Sequence, residues 1–165
     1  FYATGFVALL SNENFIAVTQ YKEPRPKLLA APLAGEIHSW TLFPPTYPLS
    51  QSVEVLLSIG ETIYVVDTSE CEDRLLDIGP FFHLCVSPNG KFVALYTKTG
   101  MIYVTTSDFQ NRLSDYDTKS AIPPKDMQWC GNDAVLIAWE DEVHVIGPNN
   151  AAAKFLYDDR VHLIA

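Results

Sequence analysis

Residues able to do chemistry are present in this chain, but their spacing assembles little. The histidines are His38, His83, His144 and His162, and none stands at ligand spacing from another His or Cys. His83 and Cys85 are two apart, which puts both on one face of a strand, yet a single such pair makes a poor metal site without further ligands. A packed core or interface histidine is the ordinary alternative. Glu140, Asp141 and Glu142 are consecutive. Like charges side by side raise one another's pKa, which is what an acid–base pair exploits; a solvated turn tip is the ordinary reading. No Gly-x-Ser-x-Gly elbow and no glycine-rich phosphate loop occurs. No metal and no cofactor is expected.

Partner contact is the better use of the remaining candidates. Trp139 begins a turn, where it serves as an exposed interface anchor or folds back on its own sheet. Phe43 and Tyr47 stand among prolines in Leu42–Pro48, either as a docking ridge or as aromatics packed within a stiff loop. With Glu140, Asp141 and Glu142 they make up the candidate partner-binding residues. Trp40 and Trp129 fall in or beside strand-forming runs and read as core.

The elements that position these residues follow from a repeat. Val7–Val18, Glu54–Val65, Val93–Val104 and Val135–Ile146 each read as four mostly apolar residues, four turn residues and four mostly apolar residues. That is a β-hairpin signature. The starts are spaced by 47, 39 and 42 residues, a period that points to a β-propeller with about four strands per blade. The inner runs are continuous rather than alternating, as in strands covered on both faces. Flanking strands are expected at Ile37–Leu42 and Arg74–Ile78, at Phe81–Val86 and Gln110–Tyr116, at Asp126–Trp129 and Ala153–Tyr157. Val161–Ala165 reads as the first strand of another blade. The expected blades are 1–31, 37–78, 81–116 and 125–158, with a start at 160–165. The fold class is therefore all-β, a WD40-like propeller of about three and a half blades from a seven-bladed ring. The proline-bearing runs Lys22–Lys27, Leu42–Pro48 and Ala121–Lys125 are expected as rim connections, because proline cannot donate to an inner ladder.

Bulk properties narrow the function. With 20 acidic against 11 basic residues the formal charge is −9, which disfavours phosphate backbones and anionic lipid and favours a basic protein surface. No apolar run approaches the ~20 residues of a membrane span. Three cysteines without regular spacing give no disulfide framework, and no Asn-x-Ser/Thr acceptor occurs; both suit the cytosol.

Ser87-Pro88-Asn89-Gly90-Lys91-Phe92-Val93-Ala94-Leu95, Ser107-Asp108-Phe109, Asp117-Thr118-Lys119, and Pro123-Pro124-Lys125 leading to Trp129-Cys130-Gly131-Asn132-Asp133 resemble the N-terminal propeller of the vacuolar protein sorting-associated protein 16 family. The Pro-Pro-Lys and Trp-Cys-Gly-Asn-Asp block is the most specific part. The resemblance implies a subunit shared by the HOPS and CORVET tethering complexes at endosomes and at the lysosome or vacuole. It also implies cytoplasmic, membrane-peripheral placement and no catalytic residues. In that family a solenoid, outside this chain, contacts the SNARE-binding SM-family subunit. Rival readings are a coat-like or nuclear-pore-like scaffold propeller and a propeller hydrolase. The turn Ser87–Lys91 lacks the Asp of a sialidase box, which counts against the hydrolase.

Overall fold

A computed structural model describes residues 1–32, 34–45 and 52–164. The chain divides into two compact units, Phe1–Asp77 and Ile78–Ala165, each built of two antiparallel sheets. In the first unit, β1 (Phe6–Leu9), β2 (Phe15–Val18) and β3 (Pro26–Leu28) pair in sequence order, and so do β4 (Ile37–Phe43), β5 (Glu54–Ile59), β6 (Thr62–Val66) and β7 (Cys71–Asp73). In the second, β8 (Phe81–Val86), β9 (Phe92–Thr97), β10 (Met101–Thr106) and β11 (Arg112–Asp117) form one sheet. The other contains β12 (Asp126–Cys130), β13 (Ala134–Ala138), β14 (Glu142–Ile146) and, after a 3-10 turn at Pro148–Asn150, β15 (Ala152–Leu156).

All four recurring hairpins are present: β1–β2 opens the three-stranded sheet, and β5–β6, β9–β10 and β13–β14 are the central pairs of the four-stranded ones. Their continuous apolar runs have the expected cause. In β5 and β9 every residue after the first is buried, whichever face it points to. In the first unit Val7, Phe15 and Ala17 pack with Val55, Leu57 and Val66, and Phe15 meets Trp40 edge-on at 5.2 Å. In the second, Ala94, Tyr96 and Ile102 pack with Met127, Ile137 and Ile146. Truncating one of these fully buried aliphatic side chains to alanine costs about 2–5 kcal/mol. The outer strands β3 and β15 are exposed along their whole length.

Several strand limits differ from the sequence-based expectation, each for a local reason. The strand expected at Arg74–Ile78 lies earlier, at Cys71–Asp73. Asp73 Oδ1 accepts from the Leu75 backbone N–H at 2.7 Å, and Leu75 has φ 55°, so the chain turns where extension was expected. Gln110 sits outside β11 because its N–H is held by Asp108 Oδ1 at 3.0 Å, beside Phe109 at φ 61°. Pro26 and Lys27 are not loop residues but open β3, and Pro26 stands opposite Val18; an edge strand tolerates the missing donor. Phe43 ends β4 opposite Glu54 rather than lying in a proline loop. Residues 161–164 form no strand; instead the Val161 N–H donates to the Glu140 carbonyl at 2.8 Å.

The β9–β10 turn depends on glycine. Gly100 closes β9–β10 at φ +87°, and a Cβ there would stand 2.9 Å from the Ser120 carbonyl oxygen. The Thr118 hydroxyl donates to the Gly100 carbonyl at 2.8 Å.

Candidate partner-binding site

The Trp139–Asp141 turn joins β13 to β14, closed by the Trp139 N–H on the Glu142 carbonyl at 2.8 Å. Glu140 is exposed, with Lys125 Nζ at 2.6 Å and Arg160 Nε at 3.5 Å. The hydrogen bond from Lys125 holds its carboxyl below the ordinary range, against a smaller desolvation effect; the charges of Lys125, Arg160 and His162 add to it. Glu142 is lowered too, mainly by its hydrogen bond to His144. The expectation that adjacent carboxylates raise one another therefore fails at both glutamates, because each has its own cationic or N–H partner. Asp141 is exposed, and its backbone carbonyl accepts from Tyr157 N–H at 2.8 Å.

Trp139 is not an exposed anchor. It is 8% exposed, lies 4.7 Å from the His144 ring, and donates Nε1–H to the Ile122 carbonyl at 2.8 Å. His144 is buried beneath it. Its Nε2 meets the Glu142 carboxylate at 2.5 Å, so Nε2 carries the proton donated there, and Nδ1 faces the Tyr116 hydroxyl at 3.5 Å. This chain of groups braces the hairpin from inside. Phe43 is half-buried at the end of β4. Tyr47 lies outside the described residues.

The distinctive block at 123–133 works as a clasp between the two sheets of the second unit. Trp129 Nε1–H donates to the Cys85 carbonyl at 3.0 Å, and the indole stacks on Phe92 at 6.3 Å and 27°. Asn132 Oδ1 accepts from the Asn89 N–H at 2.9 Å, tying the turn before β13 to the turn before β9. Asn89 organises that second turn: its Oδ1 accepts from the Ser87 hydroxyl at 2.7 Å and from the Lys91 N–H at 3.0 Å. Further along, the Pro124 carbonyl sits 3.1 Å from His83 Nε2. Burial lowers the His83 pKa, so at neutral pH the neutral ring donates its one N–H to that carbonyl. Burial also drives the Cys85 thiol far above its usual range, which removes it as a nucleophile or ready metal ligand. Among the described residues no three His, Cys, Asp or Glu side chains gather as metal ligands would.

Between the same two sheets runs a groove of about 330 Å³. Phe92, Val104 and Leu113 from one sheet and Trp129, Val135 and Ile146 from the other line it, together with Asp133. Sequence reading missed it. Its lining is gathered from residues 92 to 149, and no local pattern announces such a gathering; an exposed Leu113 on an otherwise polar outer strand is the one faint signal.

Comparisons with known proteins agree with this architecture. The family model described as Vps16, N-terminal region, matches residues 1–165. Protein VACUOLELESS1 of Arabidopsis thaliana is 30% identical over 99% of the chain and 22% of its own length. The "Probable vacuolar protein sorting-associated protein 16 homolog" of Schizosaccharomyces pombe is 31% identical over 93% of the chain and 20% of its own length. The chain thus spans about a fifth of these relatives. Among solved structures, Kluyveromyces lactis Hsv2p superposes with a TM-score of 0.60 over 96% of this chain and 50% of its own, at 16% identity. At that identity the likeness speaks for fold alone, and the fold is the β-propeller. Match, fold and clasp motif together place the chain in the Vps16 N-terminal-region family.

Proposed function

We propose that this chain is a non-catalytic scaffold and interaction module of an endosome–lysosome or vacuole membrane-tethering complex of the HOPS/CORVET kind. In this role it supports vesicle fusion and vacuolar protein sorting. The observation that carries the reading is the family match over residues 1–165, together with relatives whose names place them in vacuolar protein sorting. The structure supports it in a second way. Side chains that chemistry would need are committed to packing: His83 to a carbonyl, His144 to Glu142, Glu140 to Lys125, and the Cys85 thiol is buried. The working mechanism is binding. Rigid sheets hold turns and grooves in fixed positions, and no bond is made or broken. In this reading the protein is cytoplasmic and peripheral at endosomal and vacuolar or lysosomal membranes, and its partners are the other subunits of the complex. Among the described residues no helix is long and apolar enough to cross a membrane.

Affinity capture of the full-length protein tests this. Co-purification of tether subunits at stoichiometric yield is the expected result. Recovery of coat or nuclear-pore subunits, with no tether subunit present, would overturn it.

A further inference from the structure

The geometry points to the groove between the β8–β11 and β12–β15 sheets as a docking slot for an arginine or lysine side chain, presented by an extended segment of a partner protein. This inference rests on the chain being a binding module, not on which complex carries it.

Three observations select a cationic side chain. The first is shape and wall chemistry. About 330 Å³ of groove is walled by Val104, Leu113, Val135 and Ile146, and an aliphatic stem of three or four methylenes gains by lying along such a wall while its charged head stays at the mouth. The second is charge. Asp133 is the one ionisable residue on the lining, and no Lys or Arg stands there to meet it. Two other carboxylates of this unit have cationic partners within the chain, Glu140 in Lys125 and Glu142 in Lys154; Asp141 and Asp158 are exposed like Asp133 but stand off the groove lining. Asp133 is exposed and makes no hydrogen bond or ion pair among the described residues. The chain as a whole, at −9, draws cationic partners toward it. The third is aromatic. Phe92 and Trp129 stack on one another at the groove, and ring faces attract a cation brought within about 6 Å. Ser114 and Asn149 on the lining supply hydroxyl and amide groups suited to the backbone of the segment. Leu113, 51% exposed, forms the lip over which that backbone would lie.

The test uses the full-length protein and two fluorescein-labelled peptides, Gly-Ser-Leu-Arg-Leu-Ser-Gly and the same peptide with Glu in place of Arg, read by fluorescence anisotropy. The Arg peptide is expected to bind saturably, and the Glu peptide to bind far more weakly. Asp133→Asn should weaken the Arg peptide about fivefold, the effect of removing one partly screened charge partner. Leu113→Ser should weaken it by removing the apolar lip without adding a charge. Asp158→Asn removes another exposed carboxylate, outside the groove, and should change nothing. Thermal midpoints of the three variants control for folding, and all three positions are exposed. The inference is overturned by failure of the Arg peptide to saturate at millimolar concentration. Equal losses from Asp133→Asn and Asp158→Asn would also overturn it, since they would mean unspecific attraction only. Because this assay reads the groove and affinity capture reads complex membership, either can fail while the other holds.

Discussion

Replacing Trp129 by Phe isolates the inter-sheet clasp. The substitution keeps an aromatic ring beside Phe92 but removes the indole N–H that reaches the Cys85 carbonyl at 3.0 Å. A lost hydrogen bond of this kind costs about 1 kcal/mol net. The smaller ring also gives up part of a stacked contact, of which the whole would contribute about 0.5–1.5 kcal/mol. The expected loss is therefore about 1–2 kcal/mol. For a chain of 165 residues that lowers the melting midpoint by about 2–8 °C. Far-UV circular dichroism is the suitable readout, since fluorescence would change with the indole itself. Cys130→Ala, at the neighbouring exposed position, is the control and should leave the midpoint in place. Should Trp129→Phe melt with the wild type, or should Cys130→Ala fall as far, the indole is not fastening one sheet to the next and the account of the 123–133 block is wrong.

Gly100→Ala forces an alanine to φ +87° with its Cβ 2.9 Å from a carbonyl; a loss of more than about 1 kcal/mol is expected in urea denaturation, and a neutral result would refute the turn geometry. Asp67 should give a pH signature. Its carboxylate accepts from the Ser69 N–H at 2.6 Å, the Ser69 hydroxyl at 2.8 Å and the Glu70 N–H at 2.9 Å. The Ser69 N–H bond is the largest cause of its lowered pKa. A depressed carboxylate stabilises above its unfolded value, here 3.8, and that contribution is lost as pH falls through the lower folded value. Asp67→Asn should flatten the stability profile between those limits; an unchanged acid limb would count against the capped turn. In native protein a maleimide should label the exposed Cys130 rapidly and leave the buried Cys85 intact until unfolding, which peptide mapping by mass spectrometry reads directly.

The hairpins were legible because covering a strand on both faces demands consecutive apolar residues, and four such pairs at a steady spacing leave little else to build. Strand ends were less legible. At Asp73 and Asp108 a side chain competes for the backbone N–H two residues on, so a polar residue that looked like the start or middle of a strand stops or delays it. The sequence leaves Trp139 open between an exposed anchor and a ring folded back on its sheet, and it is buried. Its neighbours are turn residues, which suggests exposure, but its environment is set by Ile122 and His144, one of them 17 residues away. At Glu140 and Glu142 the hydrogen bonds from Lys125 and His144, rather than each other's charge, dominate the titration. The 123–133 block was recognisable as a motif, while its mechanical role needed coordinates, because Cys85 and Asn89 lie 44 and 43 residues from their partners.

Among the described residues, every ladder between named strands joins strands that are consecutive in sequence. Contact order within each sheet is accordingly low, and the loop-closure entropy is met locally. As the polypeptide leaves the ribosome, each meander can complete its hydrogen bonds before the next is synthesised. Longer-range closure is then left to side chains such as Trp129 and Asn132, which fasten sheets already formed.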